Sequence, residues 1–188
     1  MSSDKKQPMP GPSKSDRNRL GKIMVGAAAT LGMSLAAMDT ALNVALPSMT
    51  EALDADLQSI QWVIVAFVAT QASLVMGAGS FADRFGLRPV YIFGTATYLV
   101  SMLCIAFSPN LETVVGFRVL QALGAGCLFA VSPAIAAGVF PSHRRGLSMG
   151  FTVGSQALGM LTGTIGAGLL VGWLGWEWIF LGRIPFAV

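Results

Sequence analysis

Residues 79–89 read Gly79-Ser80-Phe81-Ala82-Asp83-Arg84-Phe85-Gly86-Leu87-Arg88-Pro89. This short charged turn lies between two apolar segments, 58–82 and 90–108, which hold no charged residue of their own. A helix of roughly 20 residues crosses a ~30 Å hydrocarbon core, and backbone polar groups within that core must be bonded internally. The two flanks therefore predict spanning helices, and the turn between them predicts a loop at the membrane surface. Working outward, the chain shows the same alternation, which makes the expected fold class an all-α membrane protein.

The composition agrees. With 54% hydrophobic and 11% charged residues among 188, and a mean hydropathy of +0.66, the chain carries more apolar side chain than a soluble domain of this size can bury. A net charge of +3 raises the question of nucleic acid, but the bases are not gathered with aromatics on an amphipathic face, so no nucleic-acid partner is expected. Cys104 and Cys127 both fall in apolar segments and predict packing, not a disulfide framework. His143 stands in a polar turn beside Arg144. Phosphate loops, metal-ligand spacings and serine-histidine-acid arrangements are absent from the sequence, which predicts neither an enzyme nor a cofactor. Energy would then come from an ion gradient.

Residues 1–22 hold Lys5, Lys6, Lys14, Arg17, Arg19 and Lys22 with three prolines, and predict a disordered basic tail. A signal peptide is the rival, but the apolar run 23–47 is too long for a signal core and further spans follow. Residues 23–188 form one helical membrane domain with spans at about 23–47, 58–82, 90–108, 112–139 and 146–172. A sixth, 176–188, is incomplete, so the chain reads as a fragment. Ten of the twelve bases sit in the tail, the 83–89 turn and the 143–145 turn. The positive-inside rule then places the N-terminus in the cytoplasm of a multi-pass protein of the cell membrane. Trp62, Trp173, Trp176 and Trp178 fall near the opposite boundary, as an aromatic belt would.

Two charges lie inside spans. In Met38-Asp39-Thr40-Ala41-Leu42-Asn43-Val44-Ala45-Leu46-Pro47, Asp39 sits about 12 Å before the end of the first span at ~1.5 Å per residue. In Arg118-Val119-Leu120-Gln121-Ala122-Leu123-Gly124-Ala125-Gly126, Arg118 lies about 10 Å into the fourth span. Buried ionisable groups in lipid are costly and point to function; at matching depths the two predict a pair, with Gln121 one turn deeper as a hydrogen-bonding neighbour. The plainer alternatives are an acid satisfied by Thr40 or Asn43, and an arginine snorkelling to the headgroups. Asp83, at a helix C-terminus, faces the negative end of the helix dipole and calls for a cationic partner; Arg84 and Arg88 are near. Glycines recur through the fifth span, several of them four apart, and predict close helix packing.

These stretches together resemble the major facilitator superfamily. Gly79, Asp83, Arg84, Gly86 and Arg88 resemble its loop signature between the second and third helices, although Leu87 and Pro89 replace usual bases. Asp39, Thr40, Asn43 and Pro47 resemble the first-helix signature of drug/proton antiporters of the fourteen-span branch. Arg118 and Gln121 resemble the fourth-helix motif, with Ala122 in place of a glycine. The fifth span departs from the antiporter motif at Thr164 and Ala167. At the entrance to the sixth, Arg183 stands where asparagine is usual; a second cation near Asp39 would alter substrate charge preference.

The resemblance implies the N-terminal six-helix half of a transporter, two inverted three-helix repeats, with a C-terminal half expected but absent from this chain. The implied function is proton-coupled efflux of amphipathic, cationic drugs or toxic compounds by alternating access, with the bilayer and a small-molecule substrate as partners. It assigns Asp39, Asn43, Arg118 and Gln121 to coupling and substrate, Gly79, Asp83, Arg84, Gly86 and Arg88 to a gating loop, and Gly124, Gly159, Gly163 and Gly168 to helix packing. The alternatives are a metabolite transporter of the same superfamily and a non-transporting truncated half.

Overall fold

The computed structural model describes residues 14–141, 143 and 145–184. Among them no strand occurs. Helix α1 (Lys14–Ala37) tightens into a 3-10 turn (Met38–Ala41) and resumes as α2 (Leu42–Ala52). There follow α3 (Leu57–Ile60), α4 (Trp62–Phe85), α5 (Leu87–Ala106), α6 (Leu111–Val139), α7 (Arg145–Leu174) and α8 (Trp178–Leu181). Five stretches, 24–52, 58–85, 87–106, 111–139 and 145–173, are long and apolar enough to cross a membrane.

The first span outruns its expected end. Pro47 lies inside α2 and removes only the N–H that would bond the Asn43 carbonyl; the helix continues on buried Ala45 and Met49. Asp39 is thus about 20 Å from the Ala52 end of the helix, farther from that end than the sequence indicated. Helix α1 already begins within the stretch read as a disordered tail, while residues 1–13 lie outside the described residues, as do Arg144 and residues 185–188.

The charged turn also contracts. Asp83 and Arg84 belong to the last turn of α4 and Arg88 to the first turn of α5, leaving Gly86 alone between the helices. Its N–H donates to Ala82 O at 2.9 Å, and its φ of 92° is open to glycine and strained for other residues. Pro89 fits the first turn of α5, where its missing N–H is not needed. At the opposite membrane face Asn110 caps α6 by accepting from Thr113 N at 2.9 Å, and exposed Asp56 caps α3 by accepting from Ser59 N at 3.3 Å.

Helix α6 is the central element: α4 and α5 pack along it, and α1 crosses it before meeting α7. Glycine permits the closest approaches. A Cβ on Gly124 would stand 2.6 Å from Gly94 O and 2.7 Å from Tyr98 N, so α5 and α6 meet backbone to backbone there. Gly159 and Gly163 do the same for α7 against the Ser34 and Met38 backbone. Gly168 corrects the sequence expectation, since it is exposed with open space around its Cβ position. Trp176 is a second correction: Trp62, Trp173 and Trp178 are exposed as a belt requires, but Trp176 is buried, edge-on to Phe180. Both cysteines are free and half-buried. The spans of α4 and α7 leave most of their surface uncovered, showing Met76, Phe81, Val153, Leu158, Ile165 and Leu169 to the outside, as lipid-facing helices do.

Candidate functional site

The 3-10 turn brings Asp39 into the middle of the bundle, 8% exposed. Arg118 approaches from α6 and Arg183 from just beyond α8, both 2% exposed. Their Nη1 atoms donate to the same oxygen, Asp39 Oδ1, at 3.2 Å and 2.9 Å. Gln121 Nε2 reaches that oxygen at 3.5 Å, and its Oε1 accepts from Arg118. The other carboxylate oxygen, Oδ2, accepts from Tyr98 O–H at 2.8 Å. Arg118 is fixed further by its Nε donating to Val63 O at 3.2 Å and by the Phe67 ring, whose centroid lies 4.4 Å from the guanidinium carbon.

Burial of these charges is therefore matched by bonds, as low-dielectric surroundings require. The match is incomplete. One carboxylate serves two guanidiniums, so the cluster has one positive charge in excess. Arg183 Nη2 and Trp176 Nε1 are buried with no hydrogen-bond partner among the described residues. Arg118 does not snorkel, and neither Thr40 nor Asn43 satisfies Asp39: Thr40 Oγ1 donates instead to Ala37 O at 3.1 Å.

Asp39 and Arg118 line a cavity of about 230 Å³ together with Asn43, Phe67, Gln71 and Gln156. The cavity places Asn43 beside the cluster, on its wall, without a hydrogen bond to it. Gln71 Nε2, buried on the same wall, has no partner among the described residues. The loop residues lie elsewhere. Gly79 has open space at its Cβ position, and Asp83, Arg84, Gly86 and Arg88 are exposed. Among the described residues the only ion pairs are the two on Asp39, and Asp83 meets no cation there.

Tyr98 was not singled out by sequence reasoning. An aromatic residue in an apolar run reads as packing, and its only signal is that it stands fully buried with a hydroxyl to satisfy. Arg183 was legible as a charge out of place and as a second cation near Asp39, but not the hydrogen bond that joins them across 144 positions.

The sequence profile described as Major Facilitator Superfamily matches residues 28–188. The chain is similar to the Methylenomycin A resistance protein of Streptomyces coelicolor, 34% identical over 87% of this chain and 34% of that one. It is also similar to the Tetracenomycin C resistance and export protein of Streptomyces glaucescens, 30% identical over 84% of this chain and 30% of the relative. A riboflavin transporter of Clostridioides difficile is 26% identical over 84% of this chain and 35% of the relative. The chain thus spans about a third of the length of these curated relatives. Among solved structures, a proton:xylose symporter matches with a TM-score of 0.71 and 19% identity, over 88% of this chain and 42% of that one, a likeness of fold.

Proposed function

Because the chain belongs to the major facilitator superfamily, a family of membrane transporters and not of enzymes, we propose that it serves proton-coupled export of amphipathic compounds across the cell membrane, with its N-terminus cytoplasmic. The observation that carries this reading is the buried Asp39 shared by Arg118 and Arg183 on the wall of a cavity at mid-span. Resistance and export proteins among the relatives support the direction of transport.

Coupling follows from electrostatics. The ionised carboxylate ties the 3-10 turn of the first span to α6 and to the segment after α8. A proton on Asp39 removes the charge both guanidiniums share, leaving like charges within a few ångströms, and the three segments then lose their common anchor. Protonation of Asp39 and the arrangement of the three segments are thereby linked, so that a substrate which binds one arrangement better than the other is coupled to the proton through that group. Asp83, Arg84 and Arg88, exposed and in no ion pair among the described residues, are the groups we assign to a gate against a second helical bundle.

The test is transport by the protein as its gene encodes it, in everted membrane vesicles under an imposed pH gradient. Asp39→Asn is expected to abolish gradient-driven drug accumulation at normal membrane level; undiminished accumulation would refute the coupling role. A metabolite carrier is the second reading, favoured by the riboflavin transporter among the relatives; competition by metabolites and not by drugs would select it.

A further inference from the structure

The family resemblance implied cationic substrates. The geometry points elsewhere, and the inference rests on the transport reading only in taking the cavity as a binding site. Asp39 Oδ1 is already occupied by both guanidiniums, and Oδ2 by the Tyr98 hydroxyl. A cationic ligand would have to displace a buried arginine from its only counter-charge, leaving that arginine unpaired, a loss that outweighs the new contact. For an anionic ligand the balance reverses. The cluster carries an excess positive charge, and Arg118, which shares it, lines the cavity.

Hydrogen-bonding groups tell the same story independently of charge. On the cavity wall itself Gln71 Nε2 is a buried donor without a partner among the described residues; Arg183 Nη2 and Trp176 Nε1 are unpaired there too but stand outside the cavity lining. Unpaired buried donors are costly until an acceptor reaches them. The rest of the wall sets the polar Thr40, Asn43 and Gln156 among the apolar Ile64, Phe67, Val68, Phe129 and Met160, suited to an amphipathic body. Without Arg183, Asp39 and Arg118 would form a neutral pair; with it, the site is cationic.

We propose that Arg183 sets the charge selectivity of this cavity, so that it takes amphipathic compounds bearing a carboxylate or similar anionic group in preference to cations. Arg183 is a positioning residue in this scheme: it neutralises Asp39 and so frees the charge of Arg118 for the ligand.

The test compares fluorescein, an anionic xanthene, with rhodamine 123, a cationic xanthene of similar size, by equilibrium dialysis against the protein as its gene encodes it in lipid nanodiscs, with empty nanodiscs subtracted. Wild type is expected to bind fluorescein about tenfold more tightly or better, the worth of one charge-assisted hydrogen bond. Arg183→Gln erases that preference, and Arg183→Lys, which keeps the charge, retains it. Gln71→Leu, outside the ion-pair cluster, weakens fluorescein and leaves rhodamine 123 unchanged, which keeps the proposal testable if Arg183→Gln does not fold. Equal binding of the two dyes by wild type, a preference for rhodamine 123, or binding of neither overturns the proposal. So does an Arg183→Gln protein, or a Gln71→Leu protein, in which both dyes weaken in parallel. Dye movement in energised vesicles separates the two readings: anion-selective binding without gradient-driven movement refutes proton-coupled export and leaves the charge selectivity standing.

Discussion

Asp39→Asn keeps the shape of the side chain and removes the one negative charge shared by two buried guanidiniums. Its cost can be worked from the distances. With Nη1 atoms 3.2 Å and 2.9 Å from the same oxygen, the two arginine nitrogens stand no more than about 6 Å apart, where like unit charges at an effective dielectric of ~20 repel by about 3 kcal/mol. Removing one partner from a buried ion pair costs about 3–5 kcal/mol by mutational experience, so the two routes agree. The decisive comparison is the double variant. Arg183→Gln removes the surplus cation, so Asp39→Asn combined with Arg183→Gln is expected to regain about 3 kcal/mol relative to Asp39→Asn alone. The assay is reversible SDS-titration unfolding in mixed micelles, followed by far-ultraviolet circular dichroism. A single-variant loss below about 1 kcal/mol, or a double variant less stable than Asp39→Asn, would refute the claim that one carboxylate balances both arginines.

Tyr98→Phe keeps the ring and deletes the donor to Asp39 Oδ2; it should cost about 1.5–3 kcal/mol in the same titration, as a hydrogen bond to a charged group does, and an unchanged midpoint would remove Tyr98 from the site. Gly159→Ala drives a methyl into the Ser34 backbone and should lose about 1–3 kcal/mol, whereas Gly168→Ala meets open space and should be neutral or gain up to about 1 kcal/mol; equal effects would refute the packing assigned to α7. The Asp56 carboxyl lies below its ordinary value because Ser59 bonds it, chiefly through the side chain. A lowered folded value means that its capping contribution is present above the ordinary carboxylate range and is lost as pH falls through the depressed value; protection of the Ser59 amide against hydrogen exchange should follow that course, and pH-independent protection would refute it.

The charges inside spans were legible because lipid makes them expensive, so Asp39 and Arg118 announced themselves and their equal depths suggested the pair. Helix ends were less legible. Pro47 reads as a stop, yet the chain continues as helix because only one backbone bond is forfeited; Asp83 and Arg84 read as loop, yet both finish α4. The glycines of the fifth span show why spacing alone is insufficient: four-residue intervals mark a face but not whether another helix lies on it, which holds at Gly159 and Gly163 and fails at Gly168. The contacts of Tyr98 and Arg183 with Asp39 depend on the packing of distant segments, and no local pattern encodes them. Family membership was legible from four short motifs in order, and the family match covers residues 28–188, the range in which they lie.

Gly86 is the whole of the connection between α4 and α5, and this fixes how those two spans can move. Neither can slide along the other by a helical turn, about 5.4 Å, without unravelling the end of one of them. Each packs far more extensively on α6 than on its partner, so the pair forms a V hinged at Gly86 and straddling α6. Kinematically this leaves one easy freedom, the spreading of the V, driven by whatever displaces the wedge between its arms. Since Arg118 is carried on that wedge, the ion pairs and the hinge at the membrane face belong to a single linkage, and lengthening the joint by a few glycines would let the arms slip instead of spread.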